Sequence, residues 1–565
     1  MIVKLRLRPS LFIKPVLAAI VLLLAVSGLD AQNLEEIPKE KPFEIHGTAS
    51  ASVGYYKSST YNSTRRPYSY SINAAPVISL YGIQIPLNFT FNEGSTKIKN
   101  PFVQFGINPY WRWIKLYGGW TNMTWSPTTL SGKTFLGAGI EINPSLFRFG
   151  AMYGRFNPAV KEDTLKGLNT PQYKRRGFAF KIGVGNQKNY FDFIFLKAKD
   201  VTNSIPVVSD ALNFPPQENA VFGIMSYQSF WKQKITWQLD GSVSGITRNT
   251  NSQLLDIGTG LGTKFLKLVI PPRLSTSYAW TAHTNFTYKD PKMMLGFDYN
   301  RVQPEYISMG VDYILNDQER VALTQSFVLD SGKVNLQLSE GFQRDDLNKR
   351  KAVKTNRANF SANINWSANQ KFGITFSYNN FTMFQQKGLR ELNDTTKLFM
   401  IQNNLVITPH YLIISKTAIH NIFLALMYQR MDDLNNFTGI YTRNNTINAN
   451  LGYSVSATKL GLSVSPGFSI LYSQTSLVKL LNLTPTVAVS KTWWKGKIST
   501  GFNLAFTASR NNGLWNSKTL NNTITVGYRV NNHHGLRLSN SITKSFNLFG
   551  GSSEYKGDLT YTFTF

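Results

Sequence analysis

The sequence predicts an all-β protein, a transmembrane antiparallel up-and-down β-barrel of about 26 strands, with roughly 24 to 28 as the outer limits. Three observations carry the prediction. Apolar and polar residues alternate with period two along most of the chain. Aromatic residues are abundant at 13% while charged residues are scarce at 16%, against about 25% charged in ordinary soluble domains. Beyond residue 31, no stretch is apolar for the roughly 20 residues that a spanning helix needs. A chain with these properties needs water on one face of its strands and something other than water on the opposite face.

The elements follow in order. Lys4, Arg6, Arg8 and Lys14 precede an apolar stretch over residues 15–26, and Ser27-Gly28-Leu29-Asp30-Ala31 supplies small residues for cleavage before Gln32. Residues 1–31 therefore read as a secretory signal peptide, because the apolar run is too short to span a bilayer. Residues 32–43 read as a short periplasmic segment and 44–565 as the barrel. That leaves no room before the first strand for a globular plug or tandem periplasmic domains, and none after the last strand for a further module. Cysteine is absent, which excludes disulfide scaffolds, thiolate metal sites and cysteine nucleophiles.

The strand pattern is clearest at the end of the chain, where Tyr555, Gly557, Leu559, Tyr561, Phe563 and Phe565 alternate with Lys556, Asp558, Thr560, Thr562 and Thr564. It recurs in Leu462, Val464, Phe468 and Ile470 against Ser463, Ser465 and Ser469, and in Tyr278, Trp280, Phe286 and Tyr288 against Thr281, His283, Asn285 and Thr287. Short turns are expected at Tyr81-Gly82, Asn108-Pro109, Asn143-Pro144, Gln187-Lys188, Lys232-Gln233 and Asp290-Pro291. They continue at Ser331-Gly332, Gln370-Lys371, Ser415-Lys416, Thr458-Lys459, Lys495-Gly496 and Asn532-His533. Longer connections fall between them, and Trp111, Trp113, Trp231, Trp366, Trp493 and Trp494 sit beside the short turns as an aromatic girdle would. One stretch resists the count: Asn316-Asp317-Gln318-Glu319-Arg320 interrupts what should be a single strand over about 311–328.

With its alternating aromatics and terminal Phe565, the last strand resembles the insertion signal of Gram-negative outer-membrane β-barrel proteins, and the likeness extends over essentially the whole mature chain. The resemblance implies a porin-like barrel in the outer membrane with both termini periplasmic. It also implies recognition by the barrel-assembly machinery through Tyr561, Phe563 and Phe565, and contact with outer-membrane lipids and lipopolysaccharide. The physics agrees independently: lipid cannot satisfy backbone amides, so strands cross it only as a closed barrel, apolar side outward.

Chemical motifs are weak. Ser131-Gly132-Lys133-Thr134 lacks the earlier glycine and the strand-to-helix setting of a phosphate-binding loop. The Gly258–Gly262 run reads as a flexible loop, and His533-His534 has no nearby carboxylate to complete a metal site. Asp345-Asp346 and Asp432-Asp433 read as ion-paired loop residues. His283 points to the lumen without an identifiable nucleophile or acid, so neither an enzyme nor a cofactor is expected. The net charge of +29 gathers in long outer loops, where Lys174, Arg175, Arg176, Lys349, Arg350 and Lys351 are expected to contact lipid phosphates. Nucleic acid is a poor partner for such a barrel. Residues 249–276 hold Leu254, Leu255, Phe265 and Leu266, too apolar for a freely solvated loop, and are expected either to constrict the lumen or to bind a partner. The expected function is a diffusion channel for small hydrophilic solutes. The alternative is a structural or machine-component barrel that binds a lipoprotein or periplasmic partner.

Overall fold

The structure is a computed structural model that describes residues 43–565 apart from 60–66, 81–82, 88, 93–105, 145, 162–170, 206–213, 257, 259, 392–394, 396 and 548–549. The expected signal peptide, nearly all of the segment to residue 43 and the turn at Tyr81-Gly82 lie outside the described residues. The rest forms one antiparallel meander of 26 strands.

The first quarter comprises β1 (Glu44–Ser58), β2 (Tyr68–Leu80), β3 (Ile83–Pro86, continued by Phe89–Asn92), β4 (Gly106–Ile107, continued by Tyr110–Trp111), β5 (Ile114–Asn122), β6 (Thr134–Ile142) and β7 (Phe147–Asn157). Next come β8 (Arg175–Gly185), β9 (Tyr190–Asp200), β10 (Glu218–Phe230), β11 (Ile235–Thr247), β12 (Thr276–Asp290), β13 (Met293–Val302), β14 (Gln318–Leu329) and β15 (Val334–Asp345). The long strands of the far wall are β16 (Val353–Ser367), β17 (Phe372–Lys387), β18 (Phe399–Ile414), β19 (Ile419–Asp433), β20 (Asn444–Ala457) and β21 (Leu462–Thr475). The circuit ends with β22 (Lys479–Trp493), β23 (Ile498–Asn511), β24 (Leu514–Arg529), β25 (His534–Asn547) and β26 (Gly550–Thr564). Two short helices, α1 (Leu261–Val269) and α2 (Gly439–Thr442), lie in connections.

Each strand pairs with its successor, and β26 pairs with β1 from Thr48↔Thr564 to Ser58↔Glu554, which closes the sheet. Gly47 and Phe565 exchange backbone hydrogen bonds of 2.8 and 3.0 Å at the short-turn end. The thinnest seam among the described residues is β3 to β4, joined by Gln84↔Tyr110 and the bridge Leu87↔Ile107. Closure removes the unpaired edge that an open sheet of this size would expose.

Side-chain direction follows the predicted alternation. Along β11, Trp237 and Val243 are exposed on the outer wall while Asp240, Ser242 and Ser244 are buried on the inner one. Around the short-turn end Trp113, Trp231, Trp366, Trp493 and Trp494 are all exposed outside, and the Arg112 guanidinium lies 5.3 Å from the Trp111 ring centre.

Two expectations need correction. The reversal assigned to Asn108-Pro109 occurs instead at Arg112-Trp113, where Arg112 adopts φ 51°. Proline has no N–H for the ladder, so residues 108–109 only interrupt β4, while the Pro109 carbonyl still accepts from Leu116 N at 2.8 Å. The troublesome stretch near residue 316 is neither a turn nor mid-strand. β14 begins at Gln318, and the residues before it belong to a loop that enters the barrel, so the count of 26 stands.

Candidate functional site

Two long-end loops turn into the barrel, residues 123–133 between β5 and β6 and residues 303–317 between β13 and β14. The wall that receives them is prepared by glycines at inward positions. A Cβ at Gly139 would lie 2.6 Å from Met123 Sδ, one at Gly150 2.6 Å from the Trp125 ring, and one at Gly223 2.4 Å from Thr129 Oγ1. These absent side chains form a trough. Met123, Trp125 and Leu130 fill it and pack with inward Phe135, Leu196 and Val221. Burying each such side chain contributes about 1.5–3 kcal/mol.

Polar groups fix the loops in place. The carboxylate of Asp240, wholly buried, accepts from Ser126 Oγ at 2.6 Å and Thr128 Oγ1 at 2.5 Å. Trp125 Nε1 donates to Glu141. Asn219 donates through Nδ2 to the Ile307 carbonyl at 3.1 Å and accepts from Met309 N at 2.9 Å. The two loops also hold one another: Ser308 Oγ donates to the Thr129 carbonyl at 2.6 Å and Tyr306 OH to the Thr128 carbonyl at 3.0 Å. Burial pushes the Tyr306 hydroxyl well above the ordinary phenol range, so it stays a neutral donor.

The inner charges sit around these loops. Arg148 holds Asp192 through two bonds of 2.7 and 2.9 Å, and Lys181 lies 5.6 Å from the Trp125 ring centre. His283 is inward, as its alternation predicts, with Nε2 2.8 Å from Asp298, which also accepts from Arg320 at 2.6 Å. The opposite wall differs in chemistry. The inward positions of β20 to β23 carry no charged residue. They present Ser, Thr and Asn, laced by hydroxyl contacts such as Thr446 to Ser473 at 3.0 Å and Thr484 to Thr507 at 3.1 Å. The lumen is therefore filled and charged on one side and lined with neutral hydroxyls and amides on the other.

The architecture is that of a closed antiparallel up-and-down β-barrel with an apolar outer wall. Among solved structures it is similar to the translocation pore of the P pilus usher PapC, at 9% identity and TM-score 0.38 over 92% of this chain and 99% of that one. It is also similar to the FrpB iron transporter from Neisseria meningitidis, at 12% identity and TM-score 0.39 over 94% and 82%. OccAB2 from Acinetobacter baumannii aligns at 12% identity and TM-score 0.29 over 66% and 97%. Values this low transfer no function. No protein-family model matches the chain, and no curated protein does.

The barrel places the expected phosphate contacts in two groups. Arg175 is held by Asp200 at 2.8 and 3.0 Å, and Lys351 reaches Asp317 at 2.5 Å and Asp345 at 3.2 Å. For Lys351, burial acts to lower the ammonium pKa, but hydrogen bonds to those two carboxylates outweigh it and hold it above the ordinary lysine value. Arg176, Lys349 and Arg350 are exposed, and the Lys174 backbone N–H donates to Ser204 Oγ at 2.9 Å. Asp200 and Asp317 are distant in sequence from the cations they hold, and alternation alone does not reveal such pairs.

The connection over residues 248–275 does not enter the lumen. Val269 and Ile270 are buried against Phe195 and Ala220, with Phe180 and Phe222 beside them, all of which face outward. Of the two roles expected of this segment, lumen constriction or partner binding, the seating of Val269 and Ile270 on the outer wall gives no support to the first. Leu254 and Leu255 are exposed; Phe265 and Leu266 fall in α1, but their side chains lie outside the described residues. At the final strand, Tyr561 OH lies 2.6 Å from His534 Nδ1 and the His534 ring stacks 4.8 Å from Phe563, which is 5.1 Å from Phe565.

Lys133 of the Ser131-Gly132-Lys133-Thr134 stretch pairs with Asp312 at 2.5 Å, and Gly132 N donates to Thr124 Oγ1 at 3.0 Å. Among the described residues no three His, Asp or Glu side chains converge as a metal centre requires. Sequence reading missed the two in-folded loops. The recurrence of glycine at inward positions of β6, β7 and β10 was the available signal.

Proposed function

We propose that the chain is an outer-membrane diffusion channel for small hydrophilic solutes, with its aperture set by residues 123–133 and 303–317. The observation that supports this best is the one-sided filling of the lumen. Barrels of about 22 strands need a plug to keep the membrane sealed, and a still larger one needs something inside it. Here the chain supplies its own partial filling and leaves a neutral hydrophilic wall facing it. In this reading both termini and the short turns face the periplasm, and the long loops face outward. No catalytic step is proposed, since His283 is tied to Asp298, whose other oxygen is held by Arg320.

The test is single-channel conductance in planar bilayers, with residues 125–131 replaced by a short Gly-Ser linker. Conductance should rise severalfold, and entry of bulky hydrophilic antibiotics into cells should rise with it. Unchanged conductance in a correctly inserted barrel defeats the proposal. The partner-binding alternative draws support from the outer connection that carries α2, where Phe437, Ile440 and Tyr441 are 56%, 62% and 64% exposed. A stoichiometric protein cross-linked to that loop, with negligible conductance, is the result that favours it.

A further inference from the structure

Residues 248–275 form a built structure on the outer wall. Leu255 N donates to the Pro272 carbonyl at 3.0 Å, Leu274 N to the Gln253 carbonyl at 3.1 Å, and Thr250 N to the Pro216 carbonyl at 2.9 Å. Arg273 Nη1 reaches the Ser252 carbonyl at 2.5 Å. The segment thus extends the β11–β12 hairpin and carries α1 back against the barrel. Gly245, outward on β11, makes the seat: a Cβ there would come within 3.2 Å of Ile270 Cγ2.

The height of that seat decides what surrounds it. Gly245 follows Ile235 by ten residues, and at about 3.4 Å per residue on a strand tilted about 40° this is about 26 Å above the short-turn end. The apolar band of such barrels is about 25 Å tall. The segment therefore sits at the upper edge of the band, where acyl chains meet headgroups.

The composition of α1 fits that level. Its sequence Leu-Gly-Thr-Lys-Phe-Leu-Lys-Leu-Val places the apolar residues on one arc and Thr263, Lys264 and Lys267 on the other at 100° per residue. Val269 is buried against the barrel, whereas Leu268 and Leu274 are 78% and 66% exposed, and Tyr278, Val243 and Trp280 are exposed on the outer faces of β11 and β12. Outward charges lie at the strand ends beside the segment. Glu218 faces the outside wall with its side chain 5% exposed, ion-paired to Lys197 at 3.1 Å and Lys199 at 3.5 Å, and it adjoins the strand end that Pro216 links to the segment.

We infer that residues 248–275 form a lipid-seated shelf, with Leu268 and Leu274 among the acyl chains of the facing leaflet and Lys264 and Lys267 at headgroup level. An exposed Leu in water forgoes the stabilisation of apolar burial, and at this height the bilayer supplies it. Short amphipathic helices with basic polar faces bind interfaces by this division of labour. The inference rests on the barrel's position in a membrane and is independent of whether the lumen conducts.

The chain has no cysteine, so single cysteines can be spin-labelled without background. Leu268→Cys and Leu274→Cys would be compared in phosphatidylcholine and phosphatidylglycerol vesicles with Val243→Cys on the apolar band and Asn348→Cys in an outer loop. Collision with oxygen and with a soluble nickel chelate is measured at each. At both shelf positions the ratio of oxygen to nickel accessibility should be severalfold above that at Asn348→Cys and approach that at Val243→Cys. A ratio like that of Asn348→Cys places the shelf in water and overturns the inference. Suppression of both collisions also overturns it, because it shows protein, such as a second copy, covering the face. Two label positions keep the test alive if one variant fails to insert.

Discussion

Asp240 is where the in-folded loops meet the wall, and its burial makes it the most consequential side chain in the lumen. Hydrogen bonds to a charged acceptor contribute about 1.5–3 kcal/mol each, and it accepts two from residues 123–133. Asp240→Ala should free that loop, raising the mean single-channel conductance and its noise. Asp240→Asn, which keeps one acceptor oxygen, should have a smaller effect. Identical traces for wild type and both variants would show that the carboxylate does not hold the loop. Glycine offers a second test. Gly150→Val places a branched side chain where a Cβ alone comes within 2.6 Å of Trp125, whereas Gly535→Ala meets nothing within 4 Å. Overpacking costs about 1–3 kcal/mol, so the first variant should lower the midpoint of the heat-induced electrophoretic mobility shift, and the second should leave it unchanged. The inward direction of His283 was legible because alternation is local. Its bond to Asp298 was not, since the diagonal placement follows from the register His283↔Asn300 and Asn285↔Asp298.

At the scale of elements, turn chemistry explains what was readable. Ser331-Gly332 and Lys495-Gly496 carry residues that permit positive φ, and Ser331 and Lys495 both adopt φ 54° in reversals of the expected kind. Asn108-Pro109 has equally good turn composition but sits inside β4, where proline only breaks the ladder. Apolar composition identified residues 249–276 as a segment that must be covered, yet could not choose between the inner and outer faces of the wall. That choice depends on Phe180, Phe195 and Phe222 lying side by side on three strands. Replacing residues 252–270 with a short Gly-Ser linker should therefore leave conductance unchanged, because the segment does not reach the lumen. A rise in conductance comparable to that from removing residues 125–131 would contradict the outer placement.

For the whole molecule, the strand count survives because moving the reversal from Asn108-Pro109 to Arg112-Trp113 leaves parity unchanged, and parity assigns each connection to one end of the barrel. An epitope inserted after Asn348 should bind antibody on intact cells, and one at Lys495 should bind only after the outer membrane is permeabilised. Labelling of Lys495 on intact cells would invert the topology. The closed circuit was legible from periodicity, whereas the filling of the lumen was not, because it joins residues such as Ser308 and Thr129 that lie 179 positions apart.

The uneven lumen has a consequence for transit. In the proposed channel, loops packed against β6 to β12 leave the open side of the lumen toward β20 to β23, so the path of a solute would run off the barrel's axis and close to one wall. Electric current would follow the same path, which would keep an ion near hydroxyl and amide dipoles and across the lumen from the wall that carries the Arg148–Asp192 pair. Such a path sorts solutes by girth and hydrogen-bonding capacity more than by sign of charge. The pore would thus behave as a nearly neutral slot within a strongly basic protein, and its ion selectivity would bear little relation to the chain's isoelectric point.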